Sequence, residues 1–315
     1  MTENKSNKIL TVADLFAGIG GFRLGFKKRE YRVVYANDID KYCCQTYEAN
    51  FGTIHRQDIR EIDPDSLPSF DVLLAGFPCQ PFSLAGKRNG TKDKRGKLFF
   101  HVVKILNAKL PKAFVLENVK HLLHQNNGEI FKDFLGSLEW LGYRVFYKVL
   151  NSKDFGVPQH RERLYIVGFN NPSAEFAFPV GKKHDILKNI LEKNVDEHYY
   201  LSEKYYRGLI AHKKRHSSSG SGFGFEIANP QGIARTLLSG NMGRERNLIK
   251  DQPVRKNRWG IRKLTIRECA RLQGFPDSFK LPITMTQAYQ QLGNAVTVPV
   301  IKSLAREVSK TLSMY

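Results

Sequence analysis

"DLFAGIGGF", residues 14 to 22, carries an acidic residue near the end of an apolar run and then Gly18, Gly20 and Gly21 where a helical stretch opens. Glycine in a strand-to-helix turn lets the backbone bend tightly and lets a ligand approach the start of the helix. Spacing excludes two nucleotide-binding patterns. After Gly18 and Gly20, the third glycine of GxGxxG falls on Arg23, so a dinucleotide fingerprint is absent and a dehydrogenase is disfavoured. No GK[ST] follows, so the turn is not a P-loop. An acidic residue about 20 positions past such a turn takes ribose hydroxyls, and Asp38 stands there. A ligand with a ribose and no pyrophosphate fits, and S-adenosylmethionine is the common one. Asp58, in the strand-like segment "IHRQDI", is placed to hold an adenine amino group. The glycines alone serve a plain tight turn equally well.

Outward from this turn, short strand-like runs alternate with helical ones. Residues 9–16, 31–37, 71–77, 111–119, 144–151 and 163–169 read as strands. Residues 21–29, 40–51, 97–109 and 128–143 read as helices. "DVLLAGF" (71–77) is apolar throughout, as a strand buried on both faces should be. Such alternation predicts an α/β fold, a mostly parallel sheet with helices on both faces. Near Pro179 the pattern changes. Residues 180–260 are basic, glycine-rich and weakly periodic, and include "HKKRHSSSGSGFGFE" (212–226). Regular patterning returns with "LTIRECARLQGFP" (264–276), and residues 298–312 read as a final helix. The expected organisation is a large domain over 1–179, a small one over 180–260, and a segment over 261–315 that returns to the first.

The chain has 315 residues with 41% hydrophobic content, enough for a sizeable core. A formal net charge of +20 points to a polyanionic partner. Nucleic acid comes first and an anionic membrane surface second. No apolar run approaches the ~20 residues of a spanning helix, and "MTENKSNKILTV" has no signal-peptide core, so a cytoplasmic location is expected. The four cysteines, Cys43, Cys44, Cys79 and Cys269, lack zinc-like spacing, and a disulfide framework does not fit.

Cys79 stands out among them. In "GFPCQPFS" (76–83), Pro78 and Pro81 fix the backbone around a thiol just past a buried strand. That edge of an open sheet is where ligands bind. A thiol so held in basic surroundings can act as a thiolate nucleophile, although a lone cysteine is more often an inert buried thiol. The next strand ends in "ENV", which brings Glu117 to the same edge as a proton donor or a mere surface carboxylate. "QHRERLYIVGF" (159–169) sets Arg161 and Arg163 two apart, either to grip an anion or carbonyl or to pair with Glu162 in solvent.

Taken in order, these motifs resemble those of the DNA (cytosine-5) methyltransferases of bacterial restriction–modification systems. "DLFAGIGGFRLGF", "GFPCQPFS", "ENV", "QHRERLYIVGF", "RECARLQGFPD" and "QAYQQLGNAVTVPV" carry the resemblance over nearly the whole chain. It implies a Rossmann-like methyltransferase fold of mixed, mostly parallel sheet with a small target-recognition domain. It implies that Cys79 adds to carbon-6 of cytosine, that Glu117 holds N3 and the exocyclic amine, that Arg163 binds O2, and that Arg161 orders the site. The cofactor, S-adenosyl-L-methionine, is assigned to Phe16, Gly18, Gly20, Asp38, Ile39, Asp58, Ile59, Pro78, Leu98, Asn294 and Ala295. Double-stranded DNA is the partner, contacted by Ser83, Thr236, Arg244 and Arg246, with the arginines serving either base edges or phosphates. Ala85 stands where some members have a serine that fills the gap left by the flipped base. A residue of the 239–246 loop is expected to do so here. "SGFGFE" and "GNMGRERNLI" resemble recognition segments of CCGG-site enzymes. A monomer is expected, and with it a restriction endonuclease of the same site. Two other readings stand beside this one. A tRNA (cytosine-5) methyltransferase on the same fold is disfavoured by the recognition insert of roughly eighty residues. A non-catalytic DNA-binding module is disfavoured by the intact set of Cys79, Glu117 and Arg163.

Overall fold

The computed structural model describes residues 9–27, 30–78, 97–217, 224–240 and 245–315. In chain order its first elements are β1 (Leu10–Leu15), α1 (Gly21–Gly25), β2 (Tyr31–Asp38), α2 (Lys41–Phe51), β3 (His55–Arg56), β4 (Val72–Ala75), α3 (Lys97–Lys109) and β5 (Ala113–Val119). Then come α4 (Glu129–Trp140), β6 (Arg144–Asn151), β7 (Gln159–His160), β8 (Glu162–Phe169), α5 (Glu203–Ser217), β9 (Ala234–Arg235), β10 (Ile249–Lys250) and β11 (Ile261–Arg262). Three helices, α6 (Ile266–Leu272), α7 (Met285–Asn294) and α8 (Val298–Leu312), close the chain. The described residues form two compact units. One takes in Met1–Leu150, Glu162–Pro179 and Val300–Tyr315, and the other Asn151–Arg161 and Val180–Pro299.

The first unit is built on a seven-stranded sheet of order β3-β2-β1-β4-β5-β8-β6. Strands β3, β2, β1, β4 and β5 run parallel, and β8 lies antiparallel to β5. The mixed, mostly parallel sheet expected from the sequence is therefore present. Successive strands move outward in opposite directions from β1, so a switch point lies at the carboxyl ends of β1 and β4, where open sheets take ligands. One face of the sheet is covered by α3 and α4. Leu15, Leu73, Phe77, Val102, Phe114 and Leu116 are buried there, and the rings of Phe99 and Phe134 stack 3.7 Å apart. The final helix belongs to this unit from Val300 onward. Its apolar stripe of Ile301, Leu304, Ala305 and Val308 is buried, and the Tyr31 hydroxyl of β2 donates to the Ala305 carbonyl at 2.8 Å. The C-terminal helix thus packs beside β2.

The second unit has little regular sheet. β7 pairs in parallel with β9, and β10 antiparallel with β11. Leu201, Tyr206, Leu248 and Ile261 form a small core with Phe225 and Trp259 packed on it. The weakly periodic stretch contains a long helix, α5, that runs into "HKKRH". Its apolar stripe is thin, mainly Tyr206 and Leu209 against that core, and the abundant charges obscure the helical period. Residues 261–299 also lie in this unit. They are tied by Arg262, which is 1% exposed and fork-bonded to Glu268 at 2.8 and 2.9 Å while its Nε reaches Asp251 at 2.9 Å. Glu268 also closes a capping box with Thr265 at the start of α6.

Candidate active site

The turn after β1 runs through left-handed backbone at Phe16 (φ 53°), Gly18 (φ 53°) and Gly20 (φ 87°). A Cβ on Gly20 would sit 2.2 Å from the Phe51 ring, so glycine is required there by both conformation and space. The Gly18 N–H donates to one carboxylate oxygen of Asp38 at 2.8 Å, and the Asp40 N–H donates to the other at 2.8 Å. Burial raises the Asp38 pKa while these amide bonds oppose the rise. Ile39 follows with 58% of its surface exposed, an apolar face between two acids. The second acid, Asp58, accepts from the Arg60 backbone at 2.9 Å and from its guanidinium, which lowers the Asp58 pKa. An acceptor at the end of β2, an exposed apolar side chain beside it and a glycine turn suit the ribose and base of a nucleoside. Ile59 is buried in the core, Leu98 packs against that core, and Pro78 is exposed.

At the end of β1, Asp14 has no exposed surface, and neither carboxyl oxygen has a hydrogen-bond partner among the described residues. Burial pushes its pKa up to about 8 against the pull of Arg23, with nearby Asp38 adding to the rise. Arg23 itself donates to the Tyr47 hydroxyl at 2.9 Å.

The register of β5 on β8 explains the next cluster. Val119 faces Arg163 and Glu117 faces Tyr165, so Glu117 and Arg163 are diagonal neighbours on one face. Arg163 Nε meets Glu117 Oε1 at 3.2 Å, with both side chains largely buried (15% and 11% exposed). The Glu162 carboxylate pairs with Lys120, so the solvated Arg–Glu162 pairing is not what this stretch forms. Between them, Asn118 donates from Nδ2 to the Phe77 carbonyl at 3.1 Å and accepts the Val119 N–H at 2.8 Å. This ties the end of β5 to the backbone two residues before Cys79. Cys79, Ser83, Ala85 and Arg244 lie outside the described residues, as do positions 241–244 of the 239–246 loop.

Arg161 belongs to the second unit. It is 2% exposed and donates to the carbonyls of Leu237, Gly293 and Ala295 at 3.0, 3.1 and 2.9 Å. Asn294, the last residue of α7, lies between two of those carbonyl residues. Gln159 and Gln273 extend the same buried network. Gln159 accepts the Leu237 N–H at 2.9 Å and donates to the Leu272 carbonyl at 2.9 Å, and Gln273 donates to the Leu292 carbonyl at 2.7 Å. The Thr236 hydroxyl donates to the His160 carbonyl at 2.6 Å, and Arg246 lines an open cleft with Lys213, Phe225 and Arg235. Sequence reasoning passed over Asn118, Gln159 and Gln273, although each sits inside a quoted motif. Their partners are mainly backbone groups, which carry no sequence signal. Among the described residues no cluster of histidine, cysteine and carboxylates is arranged for a metal, and no helix is long and apolar enough to cross a membrane.

The family described as C-5 cytosine-specific DNA methylase matches residues 10–310. The type II methyltransferase M.HpaII of Haemophilus parainfluenzae is 45% identical, covering 96% of this chain and 90% of that protein. M.NlaX of Neisseria lactamica is 44% identical over 96% of this chain and 97% of its own. Among solved structures, the Entamoeba histolytica methyltransferase EhMeth superposes with a TM-score of 0.80 at 23% identity, covering 97% of this chain and 99% of that one. At that identity the likeness speaks to fold.

Proposed function

The chain belongs to the C-5 cytosine-specific DNA methylases of type II restriction–modification systems, and on that premise we propose the roles of its residues and its target. Family membership implies use of S-adenosyl-L-methionine, which supplies a methyl group on a sulfonium when bound. Asp38 is proposed to hold its ribose, with Gly18 and Gly20 letting it approach the β1 turn and the exposed Ile39 covering its base. Asp58 would share its carboxylate between Arg60 and the adenine amine. Phe16, Ile59, Pro78, Leu98, Asn294 and Ala295 complete the assignment, Ile59 through its backbone because its side chain is in the core.

Carbon-5 of cytosine is a weak nucleophile. In the proposed mechanism the Cys79 thiolate forms a bond to carbon-6, and the ring electrons move to make carbon-5 enamine-like. Glu117 holds the N3 edge and stabilises a protonated ring as charge develops, and Arg163 donates to O2. Carbon-5 would then take the methyl group as its bond to the sulfonium sulfur breaks and leaves a neutral thioether; the carbon-5 proton leaves to a base, and its C–H electron pair re-forms the ring double bond and expels the Cys79 thiolate from carbon-6. The target atoms lie within the helical stack, so the base is flipped out at a cost of about a few kcal/mol. Arg161 acts at a distance, holding carbonyls of the second unit in place. The observation that carries the reading is the Arg163–Glu117 pair at the edge of β5, tied through Asn118 to the Phe77 backbone two residues before Cys79.

The proposed target is the duplex site CCGG, from the likeness of "SGFGFE" and "GNMGRERNLI" to the recognition segments of such enzymes. Thr236, Arg244, Arg246 and Ser83 would contact DNA, and the protein would act as a monomer alongside an endonuclease of the same site. Labelled-methyl transfer to duplex DNA and to tRNA, followed by bisulfite sequencing of a plasmid expressed with the protein, tests this. Methylation confined to CCGG is the expected result. Modification of a different site would overturn the target, and clear preference for tRNA would overturn the substrate.

A further inference from the structure

An open cleft of about 230 Å³ in the second unit is lined by Lys213, Gly224, Phe225, Glu226, Arg235 and Arg246. Three of these six residues are cationic, as a DNA-facing surface requires. Glu226 is the exception. A carboxylate facing a polyanion is repelled by phosphate, and beyond its pairing with Arg235 it can accept only from a donor on the ligand. Base edges supply one, and phosphates do not.

The geometry is specific. Glu226 Oε2 accepts from the Nε of Arg235, with the two side chains 44% and 61% exposed. A pair so exposed adds little to stability, yet both backbones are pinned. Glu226 N–H donates to the Glu245 carbonyl and its carbonyl accepts from Leu248 N–H, each at 2.9 Å. The buried Asn247 accepts the Arg235 N–H at 2.8 Å and donates to its carbonyl at 3.1 Å. Closing the pair through Nε leaves the two terminal amino groups of Arg235 and the second oxygen of Glu226 without partners among the described residues. Side by side they present two donors and one acceptor.

We infer that Glu226 and Arg235 together read one G·C base pair of the target in the major groove. Across that groove a G·C pair shows acceptors N7 and O6 and then the cytosine N4 donor, the complement of donor, donor, acceptor. An A·T pair shows acceptor, donor, acceptor, which meets an Arg235 amino group with a donor and Glu226 with an acceptor. The inference rests on the DNA-methylase reading and adds the residues that select one base pair.

The test uses full-length protein, wild type and the variants E226A and R235A, with bisulfite sequencing of a plasmid library and kcat/KM on duplexes altered at single positions. Melting curves confirm that each variant folds. Both variants are expected to lose about tenfold to a hundredfold in discrimination at the same base pair. Discrimination within twofold of wild type in either variant overturns the inference. So does a uniform loss across all sequences with a salt dependence reduced by about one charge, the mark of a phosphate contact. A wild-type protein that leaves no 5-methylcytosine in DNA removes the underlying reading itself, an outcome separate from these two.

Discussion

Asp14→Asn probes the buried carboxyl at the end of β1. In the folded protein Asp14 has no exposed surface, and burial pushes its pKa up to about 8 from an ordinary value of 3.8. An acid whose folded pKa is raised binds its proton more tightly in the native state. Its contribution is therefore most favourable below the unfolded pKa and is lost as pH rises through the folded one. Between those limits the native state holds up to one more proton than the unfolded chain, and stability falls by about 1.4 kcal/mol per pH unit. At pH 7 the accumulated loss is about 4 kcal/mol relative to a group that does not titrate. Asparagine keeps the shape and removes the titration. Its amide brings N–H donors into a place where the carboxyl has no partner, at a cost of ~1–3 kcal/mol that does not vary with pH. Urea unfolding of both proteins from pH 5 to pH 8 reads the difference directly, because groups remote from Asp14 titrate alike in both. The difference should move in favour of the variant by about 4 kcal/mol across that range. A difference that stays constant would refute the assignment of a neutral, buried Asp14. Arg23 and Asp38 are the neighbours whose charges it senses, and its own charge helps to raise the Tyr47 pKa after burial.

Other outcomes follow from the same geometry. Cys79→Ser should abolish labelled-methyl transfer while gel-shift binding to duplex DNA persists; retained transfer would remove the covalent mechanism. Glu117→Gln keeps the size of a side chain paired with Arg163 and should lower kcat by about 10²–10⁴, measured at saturating DNA. Arg161→Met leaves the Leu237 and Gly293 carbonyls without this donor and should cost about 3 kcal/mol or more in chemical denaturation. Gly20→Ala places a Cβ 2.2 Å from the Phe51 ring at a φ of 87° and should destabilise the first unit by ~2–4 kcal/mol, read as a lower melting temperature.

Much of the first unit was legible because its signals are local. "DVLLAGF" contains β4, "RVFYKVLN" is β6 over its full length, and "KLFFHVVKILNAK" is α3 residue for residue. Continuous apolar runs and helical stripes state their own burial. The second unit was harder to read. α5 carries so many lysines and arginines that its few core contacts, such as Tyr206, leave only a faint period. Arg161 and Arg163 look interchangeable in "QHRERLYIVGF". One is drawn to three carbonyls of the second unit and the other to Glu117, a distinction made by partners far away in the chain.

The order of the motifs, the alternation of strand and helix, and the exclusion of a dinucleotide turn were readable from the chain alone, because each depends on neighbours along it. Tertiary structure decided what those residues meet. It made Asp14 a buried acid, paired Glu117 with Arg163 through the antiparallel register of β5 on β8, and set Glu226 beside Arg235 in a cationic cleft. "DLFAGIGGF" shows a carboxylate and a glycine turn. The desolvation that makes that carboxylate an acid near neutrality arises when the sheet and its covering helices remove it from water.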